Sequence, residues 1–215
     1  MENTSFAWSR VFAAIYEPTL WAGERAGMSG HRAKLLSGAR GYTVEIGGGT
    51  GMNLPHYPED LHELVVTEPD ASMRARLDKR LRRSGRQARV IDAPAERLPF
   101  ADGSVDTVVS TLVLCTVDAP DLALREIARV LREDGQLLFI EHVRSDSPAL
   151  AGWQDRLAGP WSRFACGCHC NRATAQLIGA CGLELEAVSE VPWQAMPPIV
   201  RPLVIGRARK RGSDD

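Results

Sequence analysis

The stretch Val44-Glu45-Ile46-Gly47-Gly48-Gly49-Thr50-Gly51 limits what this chain can fold into more than any other. Tyr42 to Ile46 reads as a buried strand, and it runs straight into a turn with glycines at alternate positions. Glycine takes positive φ without steric cost and lets a backbone approach a ligand closely. In a parallel sheet such a turn lies at the carboxyl end of its strand, where ligands bind. A dinucleotide fingerprint has glycines in the pattern G-x-G-x-x-G; Gly47 and Gly49 match its first two, but the third falls on Met52. A Walker phosphate loop needs a lysine after its last glycine, and Met52 follows Gly51. The pattern that remains, acidic-x-G-x-G-x-G led by Glu45, suits a ligand with an amino-acid tail better than a pyrophosphate.

The rest of the chain alternates strands with helices. Glu63 to Thr67, Ala88 to Ile91, Val105 to Ser110, Gln136 to His142, Leu183 to Ser189 and Val200 to Ala208 read as six further strands. Ala71 to Arg82, Asp121 to Leu131 and Ala173 to Cys181 read as helices. This alternation predicts an α/β fold: a doubly wound, mostly parallel seven-stranded sheet with helices on both faces. Residues 1–208 are expected to form one domain, with 209–215 a charged, disordered tail. The first forty residues look helical and aromatic, with Phe6, Trp8, Phe12, Ile15 and Tyr16 near helical spacing. Pro18 is expected to interrupt them before a second helix from Leu20 to Leu36, the two forming an N-terminal lid.

Several side chains fall where this fold collects ligands. Glu68 ends the second strand, where a carboxylate can accept hydrogen bonds from both hydroxyls of a ribose. Met73, shortly after it, can pack on a flat ring. Ala95-Glu96-Arg97-Leu98-Pro99-Phe100 and Ser110-Thr111-Leu112-Val113-Leu114-Cys115 follow the third and fourth strands and flank the same cleft.

In their order, these elements resemble the class I S-adenosylmethionine-dependent methyltransferases, with a Rossmann-like fold, in the branch of the ubiquinone and menaquinone methyltransferases. Thr111 to Cys115, Glu141-His142-Val143, and Gly167-Cys168 followed by Asn171-Arg172 are similar, more closely, to the methyltransferase-like alkyl thiol methyltransferases. The resemblance implies that Glu45, Gly47, Gly49 and Gly51 line the methionine part of S-adenosylmethionine. It places Glu68 on the ribose, Met73 by the adenine and Thr111 at the methionine amino group. Tyr16, Asn53, Pro69, Ala95, Glu96 and Leu112 complete the cofactor set, and S-adenosylhomocysteine is the product. Many relatives carry Asp before the Ala-Glu pair; here Pro94 stands there, which leaves the adenine amino group to the Ala95 or Glu96 backbone or to Asp92. The implied reaction is methyl transfer to a small, apolar or aromatic molecule, with a lean toward a thiol. Phenol, quinol, amine and carbon acceptors remain open, as does a regulatory protein that binds the cofactor without turnover.

Imidazole titrates near neutrality, so His142 at the end of a strand and His169 in a downstream loop are the candidate catalytic groups. Cys166-Gly167-Cys168-His169-Cys170 does not have the ligand spacing of a structural zinc site, and no metal is expected. Tyr16, Trp21, Trp153, Trp161 and Trp193 are candidates for an apolar pocket wall. The formal net charge of −1, with no large basic face, argues against a nucleic-acid substrate. The five cysteines read as reduced thiols, and no apolar run is long enough to span a membrane. The start of the sequence does not have the order of a signal peptide, so a cytoplasmic protein is expected.

Overall fold

The computed structural model describes residues 6–211; the side chain of Phe6, residues 1–5 and residues 212–215 lie outside that description. Its centre is a seven-stranded sheet with the strands β1 (Tyr42–Ile46), β2 (Glu63–Thr67), β3 (Arg89–Ile91), β4 (Val105–Thr111), β5 (Leu131–His142), β6 (Leu183–Pro192) and β7 (Pro202–Lys210). Their order is β3-β2-β1-β4-β5-β7-β6. The first five in this order pair in parallel, and β7 runs antiparallel to both β5 and β6. Val44, Ile46, Val65, Val66, Val108, Val109, Leu137 and Phe139 are fully buried. Strands covered on both faces need such near-continuous apolar runs.

The helices are α1 (Phe6–Gly23), α2 (Ser29–Leu36), α3 (Ala71–Ser84), α4 (Pro120–Val130), α5 (Pro148–Phe164) and α6 (Thr174–Ala180). Asp70 caps α3 by accepting from the backbone N–H of Ser72 at 2.8 Å and of Met73 at 2.9 Å, and Gly85 ends it at φ 67°. Strand β1 has β2 on one side and β4 on the other, so the connections leaving β1 and β4 diverge. That divergence opens a cleft beyond the carboxyl ends of the strands.

Several expectations from the sequence need correction. Pro18 does not interrupt the first helix: it sits exposed within α1, which runs on to Gly23. Proline on a solvent-facing turn leaves its orphaned carbonyl open to water, and the helical path bends instead at Gly27, where φ is 143°. The long helix α5 had no counterpart in the sequence pattern, because Gly152, Gly159 and Pro160 dilute its helical signal. The expected tail begins too early. Arg209 and Lys210 belong to β7, where Arg209 pairs with Glu186 at 2.6 Å and Lys210 donates to the Leu131 carbonyl at 3.1 Å. The last strand also starts at Pro202 rather than Val200, which belongs to a short helical turn.

Candidate functional site: a polar cleft beside a sulfur-lined apolar cluster

The glycine turn after β1 forms the floor of the cleft. Gly47 and Gly49 both have φ of 56°, a left-handed conformation that favours glycine. A Cβ on Gly47 would lie 2.7 Å from a Val113 methyl, whereas one on Gly49 would point into open space. The Gly49 N–H donates to Glu68 at 2.7 Å, and the Asp70 N–H donates to the other Glu68 oxygen at 2.8 Å. Glu68 is buried, and its pKa is raised by that burial. A carboxylate has about four lone-pair sites, so two remain for a ligand's hydroxyls.

Above the turn runs a chain of polar contacts that no motif announced. Arg32, buried on α2, pairs with Glu24 at 3.0 Å and donates to the Asn53 side chain at 2.7 Å. Asn53 donates in turn to Glu45 at 2.9 Å and to the Thr111 hydroxyl at 3.0 Å. The Tyr57 hydroxyl donates to the second Glu45 oxygen at 2.8 Å. Burial pushes Glu45 up to about 7 and holds the Tyr57 phenol well above its ordinary range. Tyr16, Arg32, Glu45, Gly47, Gly49, Met52, Asn53 and Thr111 line one cleft. Arg32, Glu24 and Tyr57 were not singled out from the sequence. An arginine in a charged helix and a tyrosine in a Pro-rich turn carry no spacing signal of their own.

The other expected cofactor residues are not among those that line this cleft. Pro69 is exposed and Met73 half-buried at the start of α3. Ala95 is buried in the main core, and the Glu96 carboxylate accepts from the Ala119 N–H at 3.5 Å. Asp92 is paired with Arg74 at 2.8 Å. Leu112 takes φ of 60° and donates its N–H to the Ile140 carbonyl at 2.8 Å, turning the chain sharply after β4.

On the far side, a second cluster gathers Leu20, Met28, Cys115, Ile140, Cys168, Cys170, Trp193 and Met196, with Tyr16, Met52 and Leu112 packed against it. Buried Glu141 braces this side: it accepts from Ser110 Oγ at 2.7 Å, the Val113 N–H at 3.0 Å and the Cys115 N–H at 3.1 Å. His142 is buried, with Nδ1 facing the Cys115 and Cys168 sulfurs and its ring 5.7 Å from that of Trp193. The hydrogen bond to Cys168, burial and the Cys168 charge all raise the Cys115 thiol well above its usual range. His169 is half-buried, its pKa lowered by burial and by Arg172, and its N–H donates to the Cys115 carbonyl at 2.7 Å. Of the five aromatic candidates, Tyr16 and Trp193 reach this cluster and Trp161 packs against it. Trp21 and Trp153 do not: they are 63% and 55% exposed, under the guanidinium groups of Arg25 and Arg156.

A seven-stranded sheet in the order β3-β2-β1-β4-β5-β7-β6 with β7 alone antiparallel, a glycine turn after β1 and an acidic residue closing β2 against that turn is the class I methyltransferase architecture. The match to known proteins agrees. Residues 44–139 match the methyltransferase domain family. The human thiol S-methyltransferase TMT1B is 35% identical over 179 residues, 80% of this chain and 71% of that protein. Human thiol S-methyltransferase TMT1A is 32% identical over 171 residues, 78% and 70% of the two chains. In fold, the chain resembles a Thermotoga maritima S-adenosylmethionine-dependent methyltransferase with a TM-score of 0.72 at 22% identity, covering 96% of this chain and 99% of that one. This chain belongs to the S-adenosylmethionine-dependent methyltransferases, in the family of the TMT1A and TMT1B relatives. No helix among the described residues is long and apolar enough to cross a membrane.

Proposed function

We propose that the protein transfers the methyl group of S-adenosylmethionine to the thiol of a small, apolar or aromatic molecule. The observation that carries this reading is the meeting, across Tyr16, of a polar cleft with an apolar cluster rich in sulfur. When bound, the cofactor supplies a methyl carbon activated by its sulfonium leaving group. The chain has to hold, align and shield the reactants. Glu68 takes the ribose hydroxyls with its two free lone pairs, beside Pro69. Gly47, Gly49 and Gly51 let the backbone approach the methionine part. Arg32 offers its charge to the carboxylate end, through a network with Asn53 and Glu45, and the Thr111 hydroxyl faces the amino end. Met73, Ala95, Glu96 and Leu112 border the adenine and the turn beside it.

On the acceptor side, Trp193, Met196, Met52 and Leu112 exclude water. A thiol suits this wall because it ionises near pH 8.5 and needs little help from a base. His142 and His169 are the groups available to orient it. Residues 1–208 act as one domain, with α1 and α2 as the lid over the cleft. The near-zero net charge favours a small acceptor over nucleic acid, and a cytoplasmic setting would keep the five cysteines reduced.

The test is transfer of labelled methyl groups to a panel of thiols, phenols, amines and quinols, with S-adenosylhomocysteine binding measured alongside. Thiols are the expected acceptors. Transfer to phenols or quinols alone would overturn the thiol assignment, and binding without transfer to any acceptor would point to a regulatory role.

A further inference from the structure

Three side chains from separate segments converge on the apolar side of the cleft. Cys115 lies in the turn after β4, His142 ends β5, and Cys168 sits in the loop after α5. Their ligand atoms form a triangle. The two sulfurs are 3.9 Å apart, and His142 Nδ1 is 3.4 Å from Cys115 Sγ and 3.6 Å from Cys168 Sγ. Tetrahedral zinc has bonds of about 2.3 Å to sulfur and 2.0–2.1 Å to nitrogen, which sets edges of about 3.8 Å between sulfurs and about 3.6 Å between sulfur and nitrogen. The observed triangle is therefore close to one face of a zinc tetrahedron.

The backbone holds these residues in place. Glu141 accepts from the Cys115 N–H at 3.1 Å, the His169 N–H donates to the Cys115 carbonyl at 2.7 Å, and Thr174 Oγ1 donates to the His142 carbonyl at 3.0 Å. Gly167, at φ 100°, lets the cysteine loop close on the turn: a Cβ there would lie 2.9 Å from the Thr116 carbonyl oxygen. His142 Nε2 is buried with no hydrogen-bond partner among the described residues. Two thiolates and a neutral imidazole cancel the charge of a divalent ion, which makes such a site tolerable in an apolar cluster. Cys166 and Cys170 stand outside the triangle. The alternate-cysteine spacing does not encode this triangle: Cys168 meets a cysteine from the turn after β4 and a histidine at the end of β5, not the cysteines of its own loop.

We propose that Cys115, His142 and Cys168 bind a zinc ion, whose fourth position takes the acceptor thiol as its thiolate. No fourth His, Cys, Asp or Glu joins the three among the described residues, and catalytic zinc sites keep such a position open. Tyr16, which lines the cofactor cleft, also packs on this cluster, so a sulfur held there lies between the two sides. The zinc–sulfur bond forms as the thiol's S–H bond breaks, and the proton goes to water. A lone pair of that sulfur then attacks the methyl carbon. The carbon–sulfonium bond breaks with its electron pair kept by the departing thioether, and the new neutral thioether leaves the metal. One carbon–sulfur bond replaces another, so the step needs no oxidant or reductant. The acceptor role rests on the thiol reading above; the metal site does not.

The experiment uses the full chain without a histidine tag, kept reduced with a phosphine. Zinc content is measured by elemental mass spectrometry, and the zinc is then replaced by Co(II). One zinc per chain and a thiolate-to-cobalt charge-transfer band are expected. Cys168→Ser and His142→Ala should weaken binding by about tenfold or more, while Cys166→Ser should leave it intact. If Cys168→Ser does not fold, the wild-type band still decides. A folded, reduced protein with no zinc and no cobalt band overturns the site, as does recovery of a metal-free Cys115–Cys168 disulfide or a band unchanged in folded Cys168→Ser. Phenylmethanethiol should shift the cobalt band; no shift overturns the acceptor role. Undiminished thiol methylation by metal-free enzyme defeats the acceptor role but leaves the activity standing. Stoichiometric zinc with no methyl transfer to thiols leaves the metal site standing and defeats the thiol activity, and the acceptor role with it.

Discussion

The two sides of the cleft are built in opposite ways. On the side of β1 and β2, the lining is polar and cross-linked: Glu24, Arg32, Asn53, Glu45, Tyr57 and Thr111 form one connected network and Glu68 accepts from two backbone N–H groups, while the buried Thr50 and Thr67 hydroxyls stand outside it. On the side of β4 and β5, the lining is apolar and rich in sulfur, and the buried His142 Nε2 and Trp193 Nε1 sit in no comparable network among the described residues. Paired networks fix a geometry but resist change, because each lost partner strands a buried group. An apolar wall with a few soft atoms costs little to reshape around an acceptor. The contrast suits one side to hold an invariant cofactor and the other to handle a variable nucleophile.

Breaking the paired side should have the largest effect. Arg32→Met leaves Glu24 and Asn53 stranded and should cost ~3–5 kcal/mol in urea denaturation. Adding Glu24→Gln should recover much of it; no recovery would show that the pair is not what holds this side together. The next effect is a dependence on pH. Glu45 rises from an ordinary 4.5 to about 7 in the fold. The folded state then binds the proton more tightly than the unfolded one, so stability is present at low pH and lost as pH rises from about 4.5 to about 7. That loss should be on the order of 3 kcal/mol and absent in Glu45→Gln. Parallel stability curves for the two proteins would place Glu45 in an environment far more polar than its neighbours imply. A smaller effect is expected at Glu68. Glu68→Gln keeps the shape but weakens charge-assisted bonds, so affinity for S-adenosylhomocysteine should fall about 10- to 30-fold, ~1.4–2 kcal/mol. Unchanged affinity in calorimetry would remove Glu68 from the ribose site.

The same divide governs what the sequence revealed. The parallel half was legible because its signals are local: the glycine turn, the apolar runs of β1, β2 and β4, and an acid one strand further on. Expected and observed bounds of β1 and β2 coincide. The network above the turn was half-legible, since Glu45, Asn53 and Thr111 sit on or near motifs, while Arg32 arrives from a helix with no motif at all. The sulfur-lined side was the least legible. Cys115, His142 and Cys168 are brought together by the packing of β4, β5 and a distant loop, and no spacing along the chain encodes that convergence. Helix signals failed where glycine and proline diluted them, as in α5, and Pro18 misled because a solvent-facing turn of α1 tolerates it.

The smallest expected effect sharpens the comparison from outside the cleft. Trp21 was expected to form part of the pocket wall, yet it is 63% exposed, with the Arg25 guanidinium 5.2 Å from its ring. Trp193, 2% exposed, instead fills the space against His142 and meets the backbone at Gly23, where an added Cβ would lie 2.3 Å from its indole nitrogen. Trp21→Ala should therefore change stability by no more than about 0.5 kcal/mol, because an exposed ring loses little apolar burial and only a weak cation–π contact. Its kcat/KM for a thiol acceptor should stay within about twofold of wild type, a barrier change below ~0.5 kcal/mol. A large loss of kcat/KM with stability intact would mean that the N-terminal helix swings Trp21 onto the acceptor during turnover. The apolar side would then be completed only in the closed enzyme, and its softness would extend to the lid itself.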